Sequence, residues 1–191
     1  DMSKILKIFY HEIDFADKFL IISILFIPLS LAVSIFAADL LASFSGLILI
    51  YLFLRKNLDI FNKIKKEIIF FFIFYIIILI SLSLTKYKGE SFLASFFYFR
   101  YFLLSLTIFY LLKKYDFFFK FFYNVILLSI SFVIFDAIIQ YFFDFNILGY
   151  KLVANEQDQL IFLSGFFNDE KKLGSYLVRF LPLVLSIIYF N

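Results

Sequence analysis

The sequence predicts an all-α fold: a polytopic transmembrane helical bundle of about six spans with a cytoplasmic N-terminus. Three observations lead there. Of the 191 residues 64% are hydrophobic and only 17% charged, with a mean hydropathy of +0.98. A soluble chain carries about 25% charged residues and buries too little surface at this size to hide such a surplus. The apolar runs are continuous and approach about twenty residues, the length a helix needs to cross a bilayer; barrel strands would alternate polar and apolar residues over about ten. Finally, basic residues flank these runs unevenly, which sets orientation.

Composition also excludes functions. Cysteine is absent, so there is no disulfide framework and no thiolate site. One histidine, His11, cannot form a metal cluster alone, and no metal or cofactor is expected. The net charge of +3 does not point to nucleic acid, because the basic residues sit in short loops beside apolar runs. The 33 phenylalanines are read as lipid-facing filler. Asp1 precedes Met2, and the chain stops at Asn191 directly after an apolar run; both suggest a piece of a longer protein.

In chain order, residues 1–18 mix Lys4, Lys7, Asp14, Asp17 and Lys18 with Ile5, Ile8, Phe9 and Phe15, the pattern of an interfacial segment on the cytoplasmic side or of a frayed tail. The first span is expected at 19–38, with Pro28 inside it. Asp39 then marks a tight turn before a second span at 40–54. Ala38, Ala42 and Gly46 fall four apart and let another helix approach closely. Further spans are expected at 68–84, 92–112, 121–143 and 174–190, with a long loop over 144–173. Lys4, Lys7 and Lys18, then Arg55, Lys56, Lys63, Lys65 and Lys66, then Lys113, Lys114 and Lys120 outnumber Lys86, Lys88, Lys151, Lys171 and Lys172 on the other side. The richer side is cytoplasmic, which places loop 144–173 outside.

That topology converts positions into depths. Arg100 enters about 12 Å, Asp136 about 10 Å and Arg179 about 8 Å from the outer boundary, at 1.5 Å per residue. Gln140 shares the face of Asp136 at i+4. Ser129, Asp136 and Gln140 form a stripe on the fifth helix, and Ser175, Arg179, Pro182 and Ser186 one on the sixth; each is expected to face the bundle interior. The structural reading is an ion pair of Asp136 with Arg100 or Arg179 that fixes packing. The functional reading rests on a surplus: two arginines against one carboxylate suit an anion, and arginine binds phosphate bidentately. A lipid diphosphate head group sits at this depth, and the helix start near Gly174 and Ser175 adds N–H donors. Loop residues Ser164 to Glu170 form a turn-rich stretch that is expected either to close over such a cavity or to serve as a solvated connector. A transporter or channel for an anionic solute, or a structural membrane subunit, are the alternatives.

Asp136-xxx-Gln140, Gly149, Ser164-Gly165-Phe166-Phe167-Asn168-Asp169-Glu170, Leu173-Gly174-Ser175-Tyr176-Leu177-Val178-Arg179 and Leu181-Pro182 together resemble the O-antigen ligase and O-antigen polymerase superfamily of bacterial envelope enzymes. The resemblance is best over 95–185; the first ninety residues match only in hydropathy. It implies a metal-independent polytopic glycosyltransferase of the bacterial inner membrane. Such an enzyme moves glycan from an undecaprenyl diphosphate carrier to an acceptor on the periplasmic side, lipid A-core or another glycan. By resemblance Arg100 and Arg179 hold the carrier diphosphate, Gln140 and Asp136 line the same cavity, and the segment carrying Gly165, Asn168, Asp169, Gly174 and Ser175 is the periplasmic loop motif. The superfamily has about twice as many spans, and its later half supplies the histidine implicated in catalysis. No catalytic residue is identified in this chain, which by this resemblance is a donor-binding front half, inactive alone.

Overall fold

The structure is a computed structural model, and it describes residues 13–56, 64–85, 88–154, 161–167 and 172–190. It is helical almost throughout: α1 (Phe15–Val33), α2 (Ile35–Lys56), α3 (Lys65–Ser81) with a 3₁₀ turn at Leu82–Leu84, α4 (Lys88–Phe96), α5 (Phe99–Lys114), α6 (Asp116–Phe143) and α7 (Leu173–Phe190). Two strands of two residues each, β1 (Val153–Ala154) and β2 (Ile161–Phe162), pair antiparallel in the loop between α6 and α7. Among the described residues three helices are long and apolar enough to cross a membrane, Phe15–Val33, Ile35–Arg55 and Asp116–Phe143; α7 carries a shorter apolar stretch, Leu173–Leu185.

The expected boundaries need four corrections. The first span ends at Val33 rather than Ala38, and Asp39 lies inside α2 instead of at a turn. Ser34 makes the break: its Oγ accepts the Ala37 N–H at 3.3 Å, the bond of a helix N-cap. The expected span 92–112 is two helices, interrupted at Phe97 and Tyr98 without glycine or proline. The Tyr75 hydroxyl donates to the Phe96 carbonyl at 2.8 Å, the acceptor that the Arg100 N–H would use in a continuous helix. Arg100 N–H turns instead to the Phe97 carbonyl at 3.2 Å, a 3₁₀ bond. α6 starts five residues before the expected Phe121. The interfacial segment 1–18 falls largely outside the described residues, and its described end, from Phe15, is already α1.

The chain divides into two compact units, residues 1–24 with 39–116, and residues 25–38 with 117–191. In the first, Leu20, Ile24, Leu49, Leu52 and Leu111 are buried. The small-residue seam behaves as expected: Ala42 and Gly46 are buried, and a Cβ on Gly46 would stand 2.9 Å from the Leu103 Cβ of α5. α3 has no buried residue among those described, and its Phe71 stacks on Phe102 of α5 with centroids 3.9 Å apart.

In the second unit, Ala32, Val133, Phe166 and Tyr176 form the core, with Leu173, Leu177 and Phe180 against it. The Tyr176 hydroxyl donates to the Pro28 carbonyl at 2.8 Å. α6 buries one stripe, Phe118, Ile126, Ser129, Val133, Asp136, Ala137 and Gln140, so the expected inward face of this helix is borne out. α7 does the opposite. Leu173, Tyr176, Leu177 and Phe180 fall at i, i+3, i+4 and i+7 and take the packed face. Ser175, Arg179 and Pro182 are exposed, a correction to the expected inward stripe.

Candidate functional site: a polar latch between the long helix and its loop

Asp136 and Gln140 lie one turn apart near the end of α6, both 0% exposed. They grip the loop that follows. The Gln140 Oε1 accepts two backbone N–H groups, Ser164 at 3.0 Å and Gly165 at 2.8 Å. Its Nε2 donates to Ser164 Oγ at 3.1 Å and, more weakly, towards the carbonyls of Tyr150 and Lys151 at 3.4 and 3.3 Å. One carboxamide thus holds both flanks of the loop.

Asp136 works beside it. Its Oδ1 accepts the Ile147 N–H at 3.0 Å, and its Oδ2 accepts the Asn146 side-chain amide at 3.2 Å. Asn146 is itself buried; it donates to the Gly165 carbonyl at 2.7 Å and accepts the Tyr150 N–H at 2.8 Å. Gly165 has φ +57°, and a Cβ there would stand 3.3 Å from Asp136 Oδ2. Only glycine combines that left-handed backbone with such an approach at no steric cost. A buried polar group left without a partner costs more than a hydrogen bond returns, so this satisfied set fixes one loop conformation.

The charges are distributed differently from expectation. Arg100 pairs with Asp39 of α2 at 2.8 Å, and its Nη2 donates to the Tyr101 hydroxyl at 2.9 Å. The partners of Asp136 are neutral, so its expected ion pair with Arg179 is not formed. Arg100 is not a surplus charge, because Asp39 neutralises it. Arg179 is exposed on α7 and forms no ion pair among the described residues. Gly174 and Ser175 are exposed at the start of the same helix; Asn168 and Asp169 lie outside the described residues, as does His11.

A second polar cluster was missed. Asp17, 0% exposed, receives the Tyr110 hydroxyl at 3.1 Å, the Lys114 ammonium at 2.5 Å and the Tyr115 hydroxyl at 2.9 Å. Lys114 also donates to the Tyr110 hydroxyl at 2.7 Å. Burial alone would lower the Lys114 pKa, but its bonds to Asp17 and Tyr110 outweigh that and raise it. Burial, then Asp17, pushes the Tyr115 hydroxyl up. The one local signal was Tyr110 and Lys114 at i, i+4; nothing local tied them to Asp17, 97 residues from Lys114.

No group of His, Asp and Glu among the described residues has the makings of a metal site. Comparison with protein-family models, with curated proteins and with solved structures finds no match to this chain.

Proposed function

We propose that this chain is the donor-binding part of a lipid-linked glycan transferase, set in a bacterial inner membrane with its N-terminus cytoplasmic and about six membrane passes. The donor is an undecaprenyl diphosphate-linked glycan, held at the periplasmic side. The observation that carries this reading is the position of Arg179. It is an exposed guanidinium on an apolar helix, about two turns into α7, with no carboxylate partner among the described residues. The buried carboxylate of that unit, Asp136, is already occupied by Asn146 and Ile147. A bare arginine at that depth in lipid is costly unless an anion or water meets it, and a phosphate accepts its fork of donors bidentately.

Asp136 and Gln140 then serve the site indirectly, by holding the loop that leads into α7. Arg100, neutralised by Asp39, passes from a diphosphate ligand to a residue that joins α2 and α5. Charge stabilisation of the diphosphate leaving group is the chemistry Arg179 would supply. The test is glycan transfer in membranes carrying the full-length protein with Arg179→Ala or Arg179→Lys. Transfer falls at least about a hundredfold in the alanine variant if a charge-stabilising donor is lost. Undiminished transfer sinks the reading.

A second reading, a transporter for an anionic solute, draws on the interruption between α4 and α5, since transporters bind at broken helices. Solute counterflow in proteoliposomes, abolished by Arg100→Ala but not by Arg179→Ala, would favour it.

A further inference from the structure

The turn that opens the loop after α6 carries exposed apolar side chains, Phe145, Ile147, Leu148 and Tyr150. This turn is tightly built. Asp144 leaves the helix with φ +63°, Phe145 bridges to Lys151, and the Gly149 N–H bonds to the Asn146 carbonyl at 2.9 Å with Gly149 at φ +84°. The latch fixes this turn from beneath, through Asp136 to Ile147 N–H and Gln140 to the Tyr150 and Lys151 carbonyls. The outward side chains are Phe145, Ile147, Leu148 and Tyr150, between 36% and 52% exposed. They continue the exposed apolar end of α6, where Phe142 and Phe143 are 73% and 63% exposed; the Phe143 and Phe145 rings stand 6.3 Å apart.

We propose that the turn 145–150 is a membrane anchor, with Ile147 and Leu148 inserted among the lipid head groups and upper acyl chains of the bilayer that α6 crosses. Continuity with the apolar face of a membrane-length helix identifies lipid as the occupant. Apolar side chains at such a boundary bury about 5–10 Å into the head-group layer, and Tyr150 has the amphipathic ring that belongs at that level. A rigid turn gives this insertion a fixed depth, because the latch forbids the side chains from folding back. The loop is thereby a support tied to the membrane at one end and to α6 at the other, not a lid that swings. The proposal rests on the membrane reading and not on glycan transfer.

The chain has no tryptophan, so single-tryptophan variants report without background. Leu148→Trp and Ile147→Trp are placed in phosphatidylcholine vesicles with and without brominated chains, beside the span control Ile134→Trp. Emission from position 147 or 148 is expected to be blue-shifted, quenched more by bromine at carbons 6 and 7 than at 11 and 12, and protected from acrylamide. Aqueous emission with acrylamide quenching in both loop variants, beside a lipid-quenched control, overturns the anchor alone. A control that is also water-exposed overturns the membrane reading beneath it. Blue-shifted emission insensitive to bromine in both loop variants marks a protein partner and overturns lipid as the occupant.

Discussion

Replacing Gln140 by leucine, a side chain of similar size, isolates the latch. The leucine leaves the Ser164 and Gly165 N–H groups, now bonded at 3.0 and 2.8 Å, facing an apolar surface. Each buried donor without an acceptor costs about 1–3 kcal/mol, so the docked loop loses roughly 2–6 kcal/mol. The Nε2 contacts to the Tyr150 and Lys151 carbonyls are longer, at 3.4 and 3.3 Å, and are left out of this figure. α6 keeps its own ladder and its apolar stripe, so the loss falls on local opening of the loop and not on the helix. Hydrogen exchange in nanodiscs reads this directly. Protection at Ser164 and Gly165 drops by about 30-fold at the lower bound, at 1.4 kcal/mol per tenfold, while the amides around Ile126 in α6 are unchanged. Gln140→Glu, which keeps an oxygen to accept the Ser164 and Gly165 N–H groups and loses only the Nε2 donor, retains more of the protection. If Gln140→Leu leaves Ser164 and Gly165 protected to within about threefold, less than 1 kcal/mol, the latch does not hold the loop.

Four further outcomes are expected. Gly165→Ala forces a left-handed residue, at about 1–2 kcal/mol, and brings its Cβ to 3.3 Å from Asp136 Oδ2; the same exchange experiment should show the loop loosened. Lys114→Met leaves Asp17 buried beside two tyrosines. Breaking a buried pair costs about 3–5 kcal/mol, but Lys114 is 36% exposed, and screening brings the expected loss to roughly 1–3 kcal/mol in a detergent melt, partly restored by adding Asp17→Asn. A Lys with a raised pKa contributes stability that is complete below its unfolded value, about 10.4, and disappears only as pH rises through its higher folded value. The Tyr115 hydroxyl is likewise shifted away from neutrality, so the difference in melting between wild type and Lys114→Met should stay flat from pH 6 to 9; a slope there would contradict the assignment. Tyr75→Phe deprives the Phe96 carbonyl of its donor and should cost about 0.5–1.5 kcal/mol, seen as a lower melting temperature.

Some of this was legible in the sequence. Asp136 and Gln140 stand out because polar side chains one turn apart on a continuous apolar helix must share a satisfied face, and the burial of Ser129, Asp136 and Gln140 follows that logic. The same rule failed on α7, where polar residues were assumed to point inward. α7 has one apolar face and one polar face: Leu173, Tyr176, Leu177 and Phe180 pack, and Ser175, Arg179 and Pro182 lie opposite them and are exposed, as in an ordinary amphipathic helix. Asp39 reads as a turn because a charge interrupts the apolar run, whereas the break is set by the local cap at Ser34. The pairing of Asp39 with Arg100, and of Asp17 with Lys114, joins residues far apart in the chain and leaves no local mark. Nor does the break at Phe97 and Tyr98, since the group that opens it, the Tyr75 hydroxyl, is contributed from 21 residues upstream.

The latch also has a consequence for biogenesis. α6 reaches the translocon carrying a carboxyl group whose partners have not yet been synthesised: Asn146 lies ten residues further on, Ile147 eleven. The amides that Gln140 will accept follow it by 24 and 25 residues. An aspartate deep in a segment raises its apparent insertion free energy by up to about 2.5–3.5 kcal/mol at the helix centre and less towards the ends. The nascent helix must therefore enter the bilayer on the strength of its leucines, isoleucines and phenylalanines alone, and it becomes fully compatible with lipid only after the segment through Gly165 has emerged and docked. Release of α6 from the translocon is thus tied to emergence of the loop: with a C-terminal linker long enough to clear the ribosome tunnel, arrested chains truncated before Ser164 should retain α6 at the insertion machinery longer than chains that extend through Leu173.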